Sequence, residues 1–427
     1  MEFSNIKVPL GEGLYGINIS TKKFKTVRSS LSFICPLNKK SAACSALLAK
    51  LLCRSTKKYP TPSLLRSRLN FLYGADLSVS TSRIGDNMLL SFSITSLCDK
   101  YALSREKLSE LSSQLLKDIV FDPNVKDKAF LSEDFAVEKR IVIEEIESLI
   151  NEKRRYAITK MLEKMCWDEP FGIICDTETV ESISPSELYD FWENMLRTSE
   201  AVVMTVGEND PDPVFQMFKD AFSLFKRNPL KIYPNFKRIE PEKVKNITEE
   251  MSITQGKLVL GFRCDASSLT ENIAPLRVMT DIFGGAPYSK LFTVVREKMS
   301  LCYYCAARLY SVKGIICVDS GIEMNNFESA KNGILEQLEL MKSGDFTDDI
   351  ITASKVGLSD SIRSVEDSMG GIEAWYLARI FDKETVSPSQ FIERINTVTR
   401  DDIIKAANGT LLDTIYLLKG NGGDLSE

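Results

Sequence analysis

The sequence predicts an α+β protein made of two duplicated α/β units of about 200 residues each, every unit an antiparallel-rich sheet covered by helices. Three paired patterns carry this. "ISPSELYDFWENMLRTSEAVVMTVGEN", from Ile183, and "VTRDDIIKAANGTLLDTIYLLKGNG", from Val398, both open with Ser or Thr followed three residues later by an acid. That is a capping box, and Pro185 adds a favoured first-turn proline. An amphipathic helix, a short break and a β-rich run ending in Gly follow in each. "SSLSFICPLNKKSAACSALLAKLL" and "KLVLGFRCDASSLTENIAPLRVMTDIF" both read strand, polar turn, apolar helix. "PSLLRSRLNFLYGADLSVSTSRIGDNMLLSFSIT" and "YSKLFTVVREKMSLCYYCAARLYSVKGIICVDSGI" both read helix and two strands, with Gly85 and Gly314 at the turns.

A long helical stretch completes each half, "LSEDFAVEKRIVIEEIESLINEKRRYAI" and "FTDDIITASKVGLSDSIRSVEDSMGGIEAWYLARI". The expected organisation is residues 1–228, a linker over 229–250 rich in Pro and charge, and residues 251–427. At 427 residues the chain is too long for one core. Charges of both signs are interspersed and the net charge is −5, so no basic face is available for nucleic acid. No apolar run approaches a membrane span, and the N-terminal residues lack the pattern of a signal peptide.

The His count is zero. This removes the commonest general base and metal ligand and excludes Ser-His and Cys-His nucleophile systems. The ten Cys are scattered, as in reduced buried thiols of a cytoplasmic protein. Cys302 and Cys305 form a C-x-x-C on a predicted strand, where a spacing of three puts the thiols on opposite faces and makes them core residues rather than a redox or metal pair. The S-x-x-K matches at Ser55–Lys58 and Ser104–Lys107 are chance spacings. Gly284 and Gly285 lack the phosphate-loop context and fit a helix end with a close backbone turn.

The duplicated unit, "FGG" at 283–285 and "LFTVVREKMSLCYY" at 291–304 resemble the pitrilysin or insulinase family of inverted-motif zinc peptidases, over essentially the whole chain. The resemblance implies half of a clamshell peptidase. Family members carry H-x-x-E-H on the first helix. The matching positions here are Ala46, Leu47, Leu48, Ala49 and Lys50, so both His and the Glu are replaced. Ala offers no donor atom, and an ammonium at Lys50 repels a cation. Glu145, in "EKRIVIEEI", matches the third ligand and shares a helix face with Glu138. It is expected to be solvated or paired with Lys, and a Glu145–Lys50 ion pair would stand where the metal stood. These are degenerate metal-motif positions, with no metal and no cofactor expected in this chain.

The resemblance also implies an Arg and a Tyr seven residues apart that address the scissile carbonyl. Arg296 and Tyr303 have that spacing, with Tyr304 as the alternative register. Asn70 and Leu77 occupy the equivalent places in the first half. "LCRSTKKYPTPSLLRSRLNFLYGADL" and "KMCWDEPFG" resemble most the bacterial YmfF-type members, a subgroup linked with a zinc-motif sister and with modification of elongation factor P. The implied function is a catalytically incomplete subunit of a two-chain zinc metallopeptidase, not a peptidase on its own. Arg296 and Tyr303 would act in trans on a peptide substrate beside a zinc-binding sister subunit, with a homodimer as the assembly when the sister is absent. The alternative is a non-catalytic structural or peptide-binding scaffold.

Overall fold

The computed structural model describes residues 4–232, 236, 239–381 and 386–420, with side chains from residue 7. Two compact units emerge. The first comprises residues 1–147, 173–233 and 368–377, the second residues 148–172, 234–367 and 378–427.

The first unit's six-stranded sheet has the order β1-β2-β8-β3-β5-β4, formed by β1 (Ser4–Gly11), β2 (Leu14–Ser20), β3 (Thr26–Pro36), β4 (Asp76–Ile84), β5 (Asn87–Leu97) and β8 (Glu200–Gly207). A two-stranded ribbon, β6 (Val125–Lys126) and β7 (Ala129–Phe130), lies apart from it. Against this sheet and its core pack α1 (Lys39–Leu52) and α3 (Leu108–Phe121); α2 (Pro62–Phe71) leads into β4. The second sheet has the order β11-β12-β10-β13-β9, from β9 (Lys245–Met251), β10 (Gly256–Cys264), β11 (Cys302–Tyr310), β12 (Ile315–Ile322) and β13 (Thr410–Gly420). Read as β4-β5-β3-β8-β2 and β11-β12-β10-β13-β9, the two orders coincide. β2–β8 and β9–β13 are the parallel pairs. The duplication extends to topology.

Local chemistry explains the elements. Ser184 and Thr399 cap their helices with the capping boxes seen in the sequence. Gly85 and Gly314 carry positive φ at the two hairpin turns. At Gly314 a Cβ would also come within 2.5 Å of the Ala266 carbonyl oxygen, so Gly is required twice over. β9 takes up the last residues of the expected linker: Lys245, Ile247, Glu249 and Met251 are less exposed than the residues between them, a period of two that marks an edge strand. Residues 233–235 and 237–238 of that linker lie outside the described residues.

The long helical stretches differ from expectation. Each is broken. α4 (Ser132–Ser148) is separated by a 3-10 turn from α5 (Lys153–Met165), and helix Asp348–Ser364 is separated in the same way from helix Met369–Leu377. The second helix of each pair joins the unit built mostly from the other half of the sequence. Met161 and Met165 of α5 pack into the second sheet's core with Val259, Cys317 and Tyr416. Gly261 gives them room, because a Cβ there would come within 2.6 Å of either Met sulfur.

Each exchanged segment also meets an Arg from the central strand of its host sheet, half-buried in the first unit and buried in the second. In the first unit, Arg28 of β3 binds Glu373, Thr95 (3.1 Å) and Ser93 (2.5 Å). In the second, Arg263 of β10 contacts Glu169 at 2.6 Å and Asp413 at 3.2 Å, while Lys313 reaches Glu169 at 2.6 Å. Burial pushes the Glu169 carboxyl up, but Arg263 and Lys313 together outweigh it and hold the group below its ordinary value. Its contribution to stability is therefore present above the ordinary glutamate range and is lost as pH falls through the folded-state value. Glu169→Ala is expected to destabilise the second unit by about 3 kcal/mol, since it strands buried cations. It should also flatten acid unfolding below about pH 4.5. Urea denaturation across pH tests this, and a variant matching the wild-type midpoint would refute the anchor.

Candidate functional site

The degenerate motif lies on α1, which Asn38 opens with a capping box to Ser41. The helix is apolar on most sides and ten of its fourteen residues are buried. Ala49 is buried and Ala46 half-buried, with Lys50 in the last turn. α4 lies beside it and buries Phe135, Glu138 and Val142 at positions i, i+3 and i+7. Glu145 continues that face, and Lys50 Nζ donates to its Oε1 at 2.5 Å. The expected Lys50–Glu145 pair is present. Glu138, two turns earlier, accepts from Arg54 Nη1 at 2.8 Å, while Arg54 Nε donates to Asp134 at 2.8 Å. Two cations thus join α4 to the end of α1.

This donor set does not fit a zinc ion. Two of the family's ligand positions lack a donor of the right kind, and the third is held by an ammonium. Among the described residues no group of three or more Cys, Asp or Glu side chains converges as a metal site.

Arg296 and Tyr303 belong to the second unit. Arg296 is on the π-helical segment Leu291–Lys298, half-buried, with its guanidinium 4.3 Å from the Phe292 ring centroid. Gly284 and Gly285 end the preceding π-helical turn, as the sequence implies. A Cβ at Gly284 would come within 2.9 Å of the Ala307 backbone nitrogen, so Gly allows this turn to lie directly on β11. Ser300, at φ 52°, makes the left-handed turn into β11.

β11 carries a bulge. Cys302 pairs with Ile322 and Tyr304 with Gly321, leaving Tyr303 as the extra residue. Tyr303 is 59% exposed and its phenol donates to Glu323 at 2.7 Å. That bond holds the phenol proton above its ordinary affinity. Tyr304 is half-buried, with its ring on Gly321 and 4.4 Å from the Arg154 guanidinium, which is paired with Asp319. Arg154, Asp319 and Glu323 were not singled out in the sequence. Arg154 sits in the exchanged segment, and its partner is 165 residues away.

The bulge corrects the C-x-x-C reading. Cys302 opposes Ile322 and Cys305 opposes Ser320, positions two apart on β12. The two thiols therefore share a face. All ten cysteines are free thiols.

Fold and site together define a class: a two-repeat peptidase-like chain with Ala46, Ala49 and Lys50 on the first helix, where the family resemblance places the metal motif. Residues 182–358 match the model described as the peptidase M16 inactive domain. The chain is 33% identical over 413 residues to the probable inactive metalloprotease YmfF of Bacillus subtilis, covering 96% of this chain and 97% of that protein. It is 22% identical to an uncharacterized zinc protease of Rickettsia felis, covering 72% and 74%. A conserved protein from Enterococcus faecalis V583, solved by crystallography, superposes with a TM-score of 0.90 at 26% identity, covering 98% and 99%. The chain belongs to the peptidase M16 family. It is an inactive-type homologue of its metalloproteases, and no helix among the described residues is long and apolar enough to cross a membrane.

Because Lys50 already reaches Glu145, His side chains at 46 and 50 would face the same carboxylate. The double variant A46H/K50H is expected to hold zinc stoichiometrically through these two imidazoles and Glu145, while the unaltered chain retains none after dialysis. Elemental analysis decides; one zinc per unaltered chain would contradict the reading of the motif.

Proposed function

We propose that this chain is the non-metal subunit of a two-chain peptide-cleaving assembly. In this reading Arg296 and Tyr303 donate hydrogen bonds to the carbonyl of a bound peptide, or to its developing oxyanion, beside a zinc-bearing sister chain with H-x-x-E-H. The observation that carries it is the state of Arg296. Its guanidinium rests on Phe292, and among the described residues no carboxylate pairs with it. A half-buried guanidinium so held is aimed by packing and free to donate. The exposed Tyr303 phenol lies on the adjoining bulge. A fixed cation and a phenol are suited to charge that develops on a carbonyl oxygen.

A second reading has its own observation. Tyr303 already spends its proton on Glu323, which suits a chain that only binds peptide or scaffolds an assembly.

Kinetics separate the two. The chain is combined with a zinc-bearing M16 sister and cleavage of a fluorogenic peptide is followed. Arg296→Ala is expected to lower kcat/KM by about 10²–10³, mostly in kcat. A rise in KM at constant kcat would assign the chain to peptide binding. An unchanged kcat/KM would remove Arg296 from any role in the reaction.

A further inference from the structure

The bulge at Tyr303 does more than expose a phenol. An unbroken strand puts residues i and i+3 on opposite faces. One extra residue changes that parity, so Cys302 and Cys305 become same-face neighbours. Same-face neighbours along a strand lie about 6.7 Å apart at Cα, the upper end of what a disulfide spans. The same register puts Ser320 opposite Cys305, on the face that the two thiols share. β11 is the edge strand of its sheet, and its outer side is unpaired among the described residues.

We propose that Cys302 and Cys305 form a redox-active dithiol, with Cys302 as the attacking thiol and Cys305 as the resolving one, that is oxidised reversibly by low-molecular-weight disulfides.

Two asymmetries assign the roles. Cys302 is half-buried at the sheet edge, whereas Cys305 is buried beneath it. The neighbouring Cys305 brings the Cys302 thiol down to about 7 against the cost of burial, helped by Ser320 and the positive charge of Arg296. Cys305 is pushed the other way, first by Cys302 and then by burial. The chemistry follows in two exchanges. The Cys302 thiolate attacks one sulfur of the small disulfide and expels a thiolate, leaving a mixed disulfide on Cys302. Cys305 then loses its proton, attacks the Cys302 sulfur and expels the second thiol. One small disulfide is reduced to two thiols and two protein thiols become one disulfide. The eight other cysteines lack this arrangement: those with a resolved shift are held well above neutral pH by burial. The inference stands whether or not the chain serves a peptidase.

Trypsin releases residues 299–308, "MSLCYYCAAR", which contain these two cysteines and no other. The folded full-length chain is incubated with oxidised glutathione at neutral pH, acid-quenched, alkylated, digested and weighed. The expected result is that peptide 299–308 escapes alkylation at both cysteines, with a mass two hydrogens below the free dithiol, at least about tenfold faster than any other cysteine is modified, and that dithiothreitol restores its alkylation. Cys305→Ser should instead accumulate glutathione on residue 302, and Cys302→Ser should abolish the reaction. A peptide that stays reduced, or one that keeps glutathione on wild-type Cys302 without closing the ring, would overturn the proposal.

Discussion

Each sheet of this protein is covered by a helix from the other half of the chain, and an Arg on the central strand, half-buried in one unit and buried in the other, meets that segment in both. Arg28 meets Glu373 in the first unit, and Arg263 meets Glu169 in the second. A buried guanidinium is costly unless its donors are occupied, so each strand is unfavourable without its borrowed carboxylate. Apolar packing supplies most of the attraction, as Met161 and Met165 do on Gly261, but it is not directional. The ion pairs add the directional element that makes one register of helix on strand better than its neighbours. Neither unit is built from its own half of the sequence alone.

The same reasoning applies at the junction of α1 and α4. Glu145 places a carboxylate there. Here Lys50 meets that carboxylate, and Arg54 meets Glu138 two turns away. Lys50 is 34% exposed and Glu145 58%, so the pair itself adds little energy once water screens it. Its consequence is geometric, because it gives α1 and α4 a polar contact at their junction. The largely buried Arg54–Glu138 contact carries more of the load, and it needs no vacancy to explain it.

The sequence disclosed what is local. Capping boxes, turn glycines and strand alternation are settled by near neighbours, and the duplicated order of elements could be read from them. The Lys50–Glu145 pair was legible because the family pattern names both positions. The exchange of helices was not, since Arg28 and Glu373 are 345 residues apart and nothing in either stretch says which sheet it will cover. β9 was obscured by its charges. Its alternation of Ile247 and Met251 with polar residues is present, but the Glu and Lys between them read as a linker. Tyr303 was legible as a spacing from Arg296, whereas its position as an extra residue was not.

That extra residue shows how far one register shift can reach. Tyr304 must lie over Gly321, since any side chain at 321 would come within 2.5 Å of its ring. Its other face is covered by Arg154, itself held by Asp319. With Tyr304 fixed in this way and Cys302 opposite Ile322, the strand has one residue too many, and Tyr303 is displaced outward. Two properties that look unrelated in the sequence, an exposed phenol near Arg296 and two thiols on one face, are therefore one property. Straightening the strand would change both, because the parity that exposes Tyr303 is the parity that brings Cys302 to Cys305. The glycine at 321, chemically silent, is the residue on which both depend.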